Sequence, residues 1–340
     1  MRRDKLSIGI AGAATVGLAG AAAFLYAHLI EPQRLVVRRL SVAVPHLPPA
    51  FTGYTILHLS DLHVYDRHGT DRRVERHLRL CTELAAREAV DLVAVTGDLV
   101  ERTPFAAPLG HWLSAIPARD GVYAVLGNHD HGCGYDPATQ EWEPSSLALR
   151  LAERLCPYFF PPGRPNDVPA IVAALEQAGV HMLLNRAVAL ERKGQRLWLA
   201  GVDDPYQRRH SLTDALRDVP PDEPCVLLAH APDILPDLDT SRPLLVLMGH
   251  THGGQVRLPF IGAVTTRTRV PLPDACGLHR LGQTYIYITC GMGGATPLRF
   301  LCPPEVTLIR LVPAGTQDPP PALHGVPEHA GRTDRYRAGG

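Results

Sequence analysis

Five short segments of this chain carry side chains that bind metal ions: Asp61-Leu62-His63, Gly97-Asp98, Gly127-Asn128-His129-Asp130, the isolated His230, and Gly249-His250-Thr251-His252. Carboxylates, an amide oxygen and imidazoles, with no thiolate among them, suit divalent ions such as Mn²⁺, Fe or Zn²⁺. A carboxylate has two oxygens and can bridge a pair of ions. Two ions about 3.5–4 Å apart clamp a phosphoryl group and acidify a water between them. Such a centre yields a hydroxide nucleophile at neutral pH with no nucleophilic serine, cysteine or lysine. One Asp-x-His or one histidine alone would mean little, because a lone core histidine is usually structural. The weight lies in their joint occurrence and in where each segment falls.

Each segment follows an apolar, β-favouring run. Tyr54–Leu59 hands over to Ser60-Asp61, Asp91–Thr96 to Gly97-Asp98, and Gly121–Leu126 to Gly127-Asn128. Cys225–Ala229 runs into His230, and Leu244–Met248 into Gly249-His250. Ligands of open α/β sheets bind outside the carboxyl ends of the strands, so five strands would deliver these groups to one edge. Further strands are expected at Leu35–Val44, Leu197–Val202, Tyr285–Thr289 and Val306–Leu311. Helical spacing marks Asp71–Val90, with Val74, Leu78, Cys81, Leu84 and Ala85 on one face, and the alternation resumes near Val168–Gly179. Continuous apolar strands separated by helices define an α/β fold with its sheet covered on both faces. Residues 35–312 read as the catalytic domain, interrupted at about 132–169 by an insertion or cap. Trp142 and Phe159-Phe160 suit either apolar substrate contacts there or a small core of its own. Residues 313–340, rich in Pro, Gly and charge, read as a disordered tail.

Composition removes several alternatives. The 340 residues hold 34 Lys+Arg against 34 Asp+Glu, a formal net charge of zero, so no nucleic-acid partner is expected through a general basic field. Lys5 and Lys193 are the only lysines. Neither is placed for Schiff-base or phosphate-loop chemistry. Seven cysteines without a C-x-x-C pair exclude a disulfide framework or cysteine zinc site. One pair, Cys290 with Cys302, could still bridge in an oxidising compartment. The N-terminal residues 1–34 read as an address: a basic tip, then Ser7–Ile30 without a formal charge. As a helix that stretch reaches roughly 36 Å, enough for a hydrocarbon core of about 30 Å. The favoured reading is a single-pass anchor holding the chain at the cell membrane through residues 7–30; the alternative is export after signal cleavage. Arg34, Arg38 and Arg39 balance Arg2, Arg3 and Lys5, so the flanks set no orientation.

In this order, the five segments resemble the calcineurin-like metallophosphoesterases, from about Tyr54 to Leu311. The runs Gly249–Gln255 and Cys290–Glu305 further resemble a bacterial membrane-linked subgroup, the YkuE- and YaeI-like proteins, which is similar to hydrolases of UDP-2,3-diacylglucosamine. The resemblance implies a four-layer α/β/β/α sandwich. It implies two divalent metal ions, one held by Asp61, His63, Asp98 and His252, the other by Asp98, Asn128, His230 and His250. His129 would face the substrate and protonate the leaving oxygen or stabilise the transition state. Glu101, at the acid position of the G-D-x-x-[DE] pattern, and Asp130 compete as the group that orients it. Arg102 and Arg299 are candidate phosphate ligands. Gly291-Met292-Gly293-Gly294 is a candidate lining of backbone N–H groups or simply a tight turn, and Asp66, His68 and His131 are rim residues. The implied activity is phosphoester or pyrophosphate hydrolysis by a metal-bridged hydroxide on a phosphorylated small molecule or a lipid-linked substrate, such as a UDP-2,3-diacylglucosamine-type pyrophosphate. A non-catalytic membrane-tethered binding module is the alternative from another class, and the full ligand set disfavours it.

Overall fold

The computed structural model describes residues 17–65, 72–132, 135–136, 141–142, 165–270, 272, 274–294, 298–316 and 320–323. The expected rim residues Asp66 and His68, most of the 132–169 insertion with Phe159-Phe160 and the Trp142 side chain, and most of the tail lie outside them.

Two six-stranded sheets form the body. The first contains β1 (Val36–Val44), β2 (Thr55–Leu59), β3 (Leu92–Thr96), β4 (Val122–Val125), β7 (Val180–Met182) and β16 (Glu305–Pro313). Its order is β1-β16-β2-β3-β4-β7, and only the β16–β2 pair is antiparallel. The second contains β8 (Arg186–Arg192), β9 (Gln195–Gly201), β10 (Cys225–Leu228), β11 (Leu244–Met248), β14 (Gly277–Leu281) and β15 (Thr284–Ile288). Its order is β14-β15-β11-β10-β9-β8, with antiparallel strands at the two edges. Two small ribbons complete the strands: β5 (Tyr135–Asp136) with β6 (Glu141–Trp142), and β12 (Arg257–Leu258) with β13 (Gly262–Ala263).

The burial of the strands explains their composition. Every residue of β2, β3, β11 and β15 is buried, as continuous apolar runs in a doubly covered sheet require. One side of each sheet meets the other: Ile56, Leu92 and Ala94 pack with Leu199, Val226 and Leu247 in the core between them. The opposite side of the first sheet carries Leu57, Leu59, Val93 and Val95 against three helices. These are α1 (Arg72–Glu88), α2 (Ala106–Ser114) and α3 (Val168–Gln177). Helix α1 buries Val74, Leu78, Cys81, Leu84 and Ala85, the face anticipated from spacing, and stops where Ala89 takes a φ of 51°. Outside the second sheet the cover is thinner, made by the short turns Leu212–Ala215 and Pro232–Asp237 with loops around Val270 and Leu323.

Residues 17–25 are helical and continue through the π turn Tyr26–Ile30 into Glu31–Gln33. Among the described residues, no helix is long and apolar enough to cross a membrane. This segment is tied to the body. The Arg299 amide donates to the Ala27 carbonyl at 2.9 Å, and the buried Glu31 carboxylate accepts from the amides of Leu301 and Cys302.

Candidate metal centre

The carboxyl ends of β2, β3 and β4 in one sheet and of β10 and β11 in the other deliver all five segments to one place. Getting them there distorts the backbone. Asp61, His63, Asp98, His250 and His252 all have positive φ, between 47° and 68°. Non-glycine residues pay for this conformation, and such strain collects at functional sites. Glycines flank the ligands because nothing larger fits. A Cβ on Gly127 would collide with the Asp98 carboxylate, and one on Gly249 with Ser60 and Asp61.

The side chains then converge in two overlapping groups of the expected ligands, beside a third group made by His63, Glu101 and His129. In the first, Asp61, His63, Asp98 and His252 are all buried and within ligand reach of one another. Nε2 of His63 lies 3.1 Å from Nε2 of His252 and 3.3 Å from Oδ2 of Asp98, while Nε2 of His252 is 3.5 Å from Oδ1 of Asp61. In the second, Asp98, His230 and His250 meet. Nε2 of His230 is 3.3 Å from Asp98 Oδ2, and Nδ1 of His250 is 3.2 Å from that same His230 nitrogen and 3.1 Å from Asn128 Oδ1.

Hydrogen bonds fix which nitrogen each ring presents. His63 donates through Nδ1 to Glu101 (2.6 Å), His230 through Nδ1 to the Thr96 carbonyl (2.8 Å), and His250 through Nε2 to the Arg267 carbonyl (2.8 Å). In each case an oxygen holds one nitrogen and the other turns inward, the arrangement by which second partners orient metal-binding histidines. Facing nitrogens 3.1–3.2 Å apart make poor mutual hydrogen bonds. That spacing matches two ligands each roughly 2.0–2.1 Å from a shared ion. The donor set therefore fits divalent cations.

Electrostatics agree. Burial, reinforced by Asp98, pushes the Asp61 carboxyl up. Burial acts the same way on Asp98, but His230, His129 and His63 outweigh it and hold Asp98 well below the usual carboxylate range. His230 is pushed up to about 10 because Asp98 overcomes the burial that would lower it. Its neighbour His250 is pushed down to about 3 by burial and by His230. Asp61, raised by burial, is the carboxyl that a bound cation would relieve.

His129 belongs to the third group and to neither of the two overlapping ones. Its amide donates to Asp98 Oδ1 (2.9 Å), its Nδ1 lies 2.8 Å from Glu101 Oε1, and its Nε2 is 4.0 Å from Asp98 Oδ2. Asp130, the other candidate partner, is occupied elsewhere: its carboxylate accepts from the amides of Leu99, Val100 and Gly127. Arg102 is half-buried beside Glu101 with no ion pair among the described residues. The expectation for Arg299 needs correction. It is 2% exposed, and its guanidinium donates to the carbonyls of Cys290, Gly291, Gly293 and Cys302, which leaves it bracing a loop rather than facing a phosphate. In the glycine run it braces, the amides of Gly291, Met292 and Gly293 are taken up by the Thr289 hydroxyl and the carbonyls of Ser60 and Asp61. Cys290 and Cys302 are free thiols, so the pairing entertained for them is absent. His131, expected at the rim, is buried and meets Asp203 at 2.7 Å.

Two features escaped the sequence reading. Tyr206 lays its ring 4.8 Å from that of His250, with the Arg269 guanidinium 4.3 Å above it. Buried Asp204 shapes that loop by accepting from the amides of Tyr206 and Gln207. The signal was available: Asp203-Asp204 follows β9 as the other polar pairs follow their strands. Asn166 was assigned to the insertion, yet it ties the site together by donating to the carbonyls of Glu101 and His129.

Residues 54–254 match the family model described as calcineurin-like phosphoesterase, more than half of the chain. The chain belongs to this family, whose members are hydrolases acting on phosphoester bonds. It is 27% identical over 337 residues to UDP-2,3-diacylglucosamine pyrophosphatase LpxG of Chlamydia trachomatis, covering 90% of this chain and 98% of the relative. It is 28% identical over 312 residues to phosphodiesterase YaeI of Escherichia coli, covering 89% and 97% respectively. It is also 26% identical over 319 residues to the uncharacterized metallophosphoesterase YkuE of Bacillus subtilis, covering 92% and 98%.

Proposed function

We propose that the chain hydrolyses a phosphoester or pyrophosphate bond at a centre for two divalent ions. Asp61, His63, Asp98 and His252 would hold one, and Asp98, Asn128, His230 and His250 the other. One observation carries this reading: Oδ2 of Asp98 stands 3.3 Å from Nε2 of His63 and 3.3 Å from Nε2 of His230, so one buried oxygen serves both groups. When bound, such ions supply positive charge to the phosphoryl oxygens and acidify a water enough to attack near neutral pH. The remaining tasks fall to the chain. Glu101 takes Nδ1 of His129 and turns Nε2 toward Asp98, where that nitrogen can hand a proton to the leaving oxygen. Tyr206 and Arg269 stand beside His250, placed to orient what enters.

For the substrate we favour a lipid-linked pyrophosphate at a membrane. The uncharged stretch 7–30 and the likeness to a pyrophosphatase named for a diacylated nucleotide sugar support this. The test is a panel of phosphomonoesters, diesters, UDP-sugars and lipid pyrophosphates, assayed with Mn²⁺ on the full chain and on Asp98→Ala. Mn²⁺-dependent turnover that vanishes in the variant is expected, highest on the lipid pyrophosphate. Protein that holds two ions yet cleaves nothing in the panel would sink the reading.

A further inference from the structure

The ribbon of β12 and β13 leaves the metal centre directly after His252 and returns to it at Arg267, whose carbonyl accepts from His250. Its tip is apolar and unprotected: Phe260 is fully exposed at 109%, Ile261 at 72% and Val264 at 60%. The turn is formed by Leu258-Pro259-Phe260-Ile261, closed by the Ile261 amide on the Leu258 carbonyl. Phe260 has a φ of 65° in the third position, which in a turn with proline second ordinarily falls to glycine or asparagine. A large aromatic residue held in strained backbone and fully in water gains nothing for the fold, so its position points to something outside the fold.

The surroundings indicate what that is. The ribbon is joined to the N-terminal helix through one short segment. The Arg257 amide donates to the Phe300 carbonyl, and the Arg299 amide to Ala27. On that helix Phe24, Leu25 and Leu29 are each more than half exposed, and the sequence ahead of it, back to Ser7, carries no charge. Charge selects the partner further. From Val256 to Val270 there are three arginines and no acid, and two of the three are paired from outside the segment, Arg257 with Asp274 at 3.0 Å and Arg269 with Asp233 at 3.9 Å. Arg267 is exposed, with no side-chain partner among the described residues. Apolar tips with an adjacent arginine suit an anionic lipid surface.

We infer that the Val256–Val264 ribbon is a second lipid-contacting element, which seats its tip among headgroups beside the metal centre. This rests on the reading that the chain works at a membrane, and it adds how the centre would be held against the lipid. A substrate's acyl chains would stay in the bilayer while its phosphate meets the site.

The experiment uses the full chain on vesicles of phosphatidylcholine with phosphatidylglycerol, some brominated high on the acyl chains. In F260W, emission in excess of the parent chain should be quenched by the brominated lipid and shielded from acrylamide only when vesicles are present. The double variant F260S/I261S should lose about tenfold or more in turnover of a vesicle-borne substrate, since withdrawing two large apolar side chains from lipid weakens the contact by at least that factor. Its turnover of soluble bis-p-nitrophenyl phosphate should be unchanged. Vesicle-bound F260W that stays open to acrylamide and unquenched by bromine overturns the inference, and so does shielding without lipid, which would mark a protein interface. A chain that never binds vesicles overturns the membrane reading with it, whereas absent turnover of the soluble diester would fault the proposed chemistry alone.

Discussion

His63 and His129 meet edge to face, ring centroids 4.5 Å apart, and both bring Nδ1 to the same oxygen, Oε1 of Glu101, at 2.6 and 2.8 Å. One carboxylate thus sets the tautomer of a metal-group histidine and the orientation of the histidine proposed to protonate the leaving oxygen. Burial alone would raise Glu101, but His129 and His63 pull it far below the usual range, so it stays ionised. Glu101→Gln keeps the shape and removes the charge. Activity should fall about 10–100-fold with both ions retained, as for other residues that act through a ligand. Metal analysis beside steady-state kinetics checks this, and wild-type kcat in the variant would remove Glu101 from the mechanism.

His129 itself should separate leaving groups. Losing a general acid costs about 10²–10⁴ where the leaving oxygen is strongly basic, and far less where it departs without a proton. His129→Ala should therefore be crippled on alkyl phosphoesters and milder on p-nitrophenyl esters, with its metal content intact. Equal losses on both would show that the ring stabilises charge rather than transferring a proton.

The strand ends were legible because each is a local pattern: an apolar run, then an acid, amide or histidine within a few residues. The pairing of strands was not, because it joins residues far apart. β16 enters the first sheet antiparallel, setting Thr307 against His58, and no short-range signal announces that. The edge strand β1 was expected at Leu35–Val44, but the edge strand β8 hid for a related reason. β8 has charged ends and a half-exposed pattern, so its apolar alternation is broken. Burial was equally invisible at Arg299, where an arginine looks the same in sequence whether it binds a phosphate or four carbonyls.

That distinction can be measured. Arg299→Met removes the donors to the carbonyls of Cys290, Gly293 and Cys302 inside the protein, while the Gly291 carbonyl keeps the Glu305 amide. Buried acceptors stripped of partners each cost about 1–3 kcal/mol, so the variant should lose on the order of 3 kcal/mol or more in denaturant unfolding. Where it remains folded, KM for a soluble diester should barely move. A large rise in KM with unchanged stability would restore Arg299 as a substrate ligand.

Acid should weaken the fold through His58, away from the ligands themselves. The ring is fully buried in β2, with Nε2 2.8 Å from the Thr96 hydroxyl and its edge near Tyr287, and burial pushes it down to about 3. His77, packed on α1, is pushed down to about 4, first by burial and then by Arg73. The unfolded chain binds a proton at each histidine near pH 6.5, which the folded chain refuses until the pH is far lower. Stability is thus fully present above about pH 6.5 and is lost as the pH falls toward these folded values. By pH 5 His58 alone accounts for about 2 kcal/mol. Thermal melts of chelated protein from pH 8 to pH 5 should show the decline. His58→Asn, less stable than the parent at pH 8, should close the gap as acid is added, because its core has no ring to protonate. Melting curves of parent and variant that stay parallel across this range would mean that His58 takes no part in the acid response.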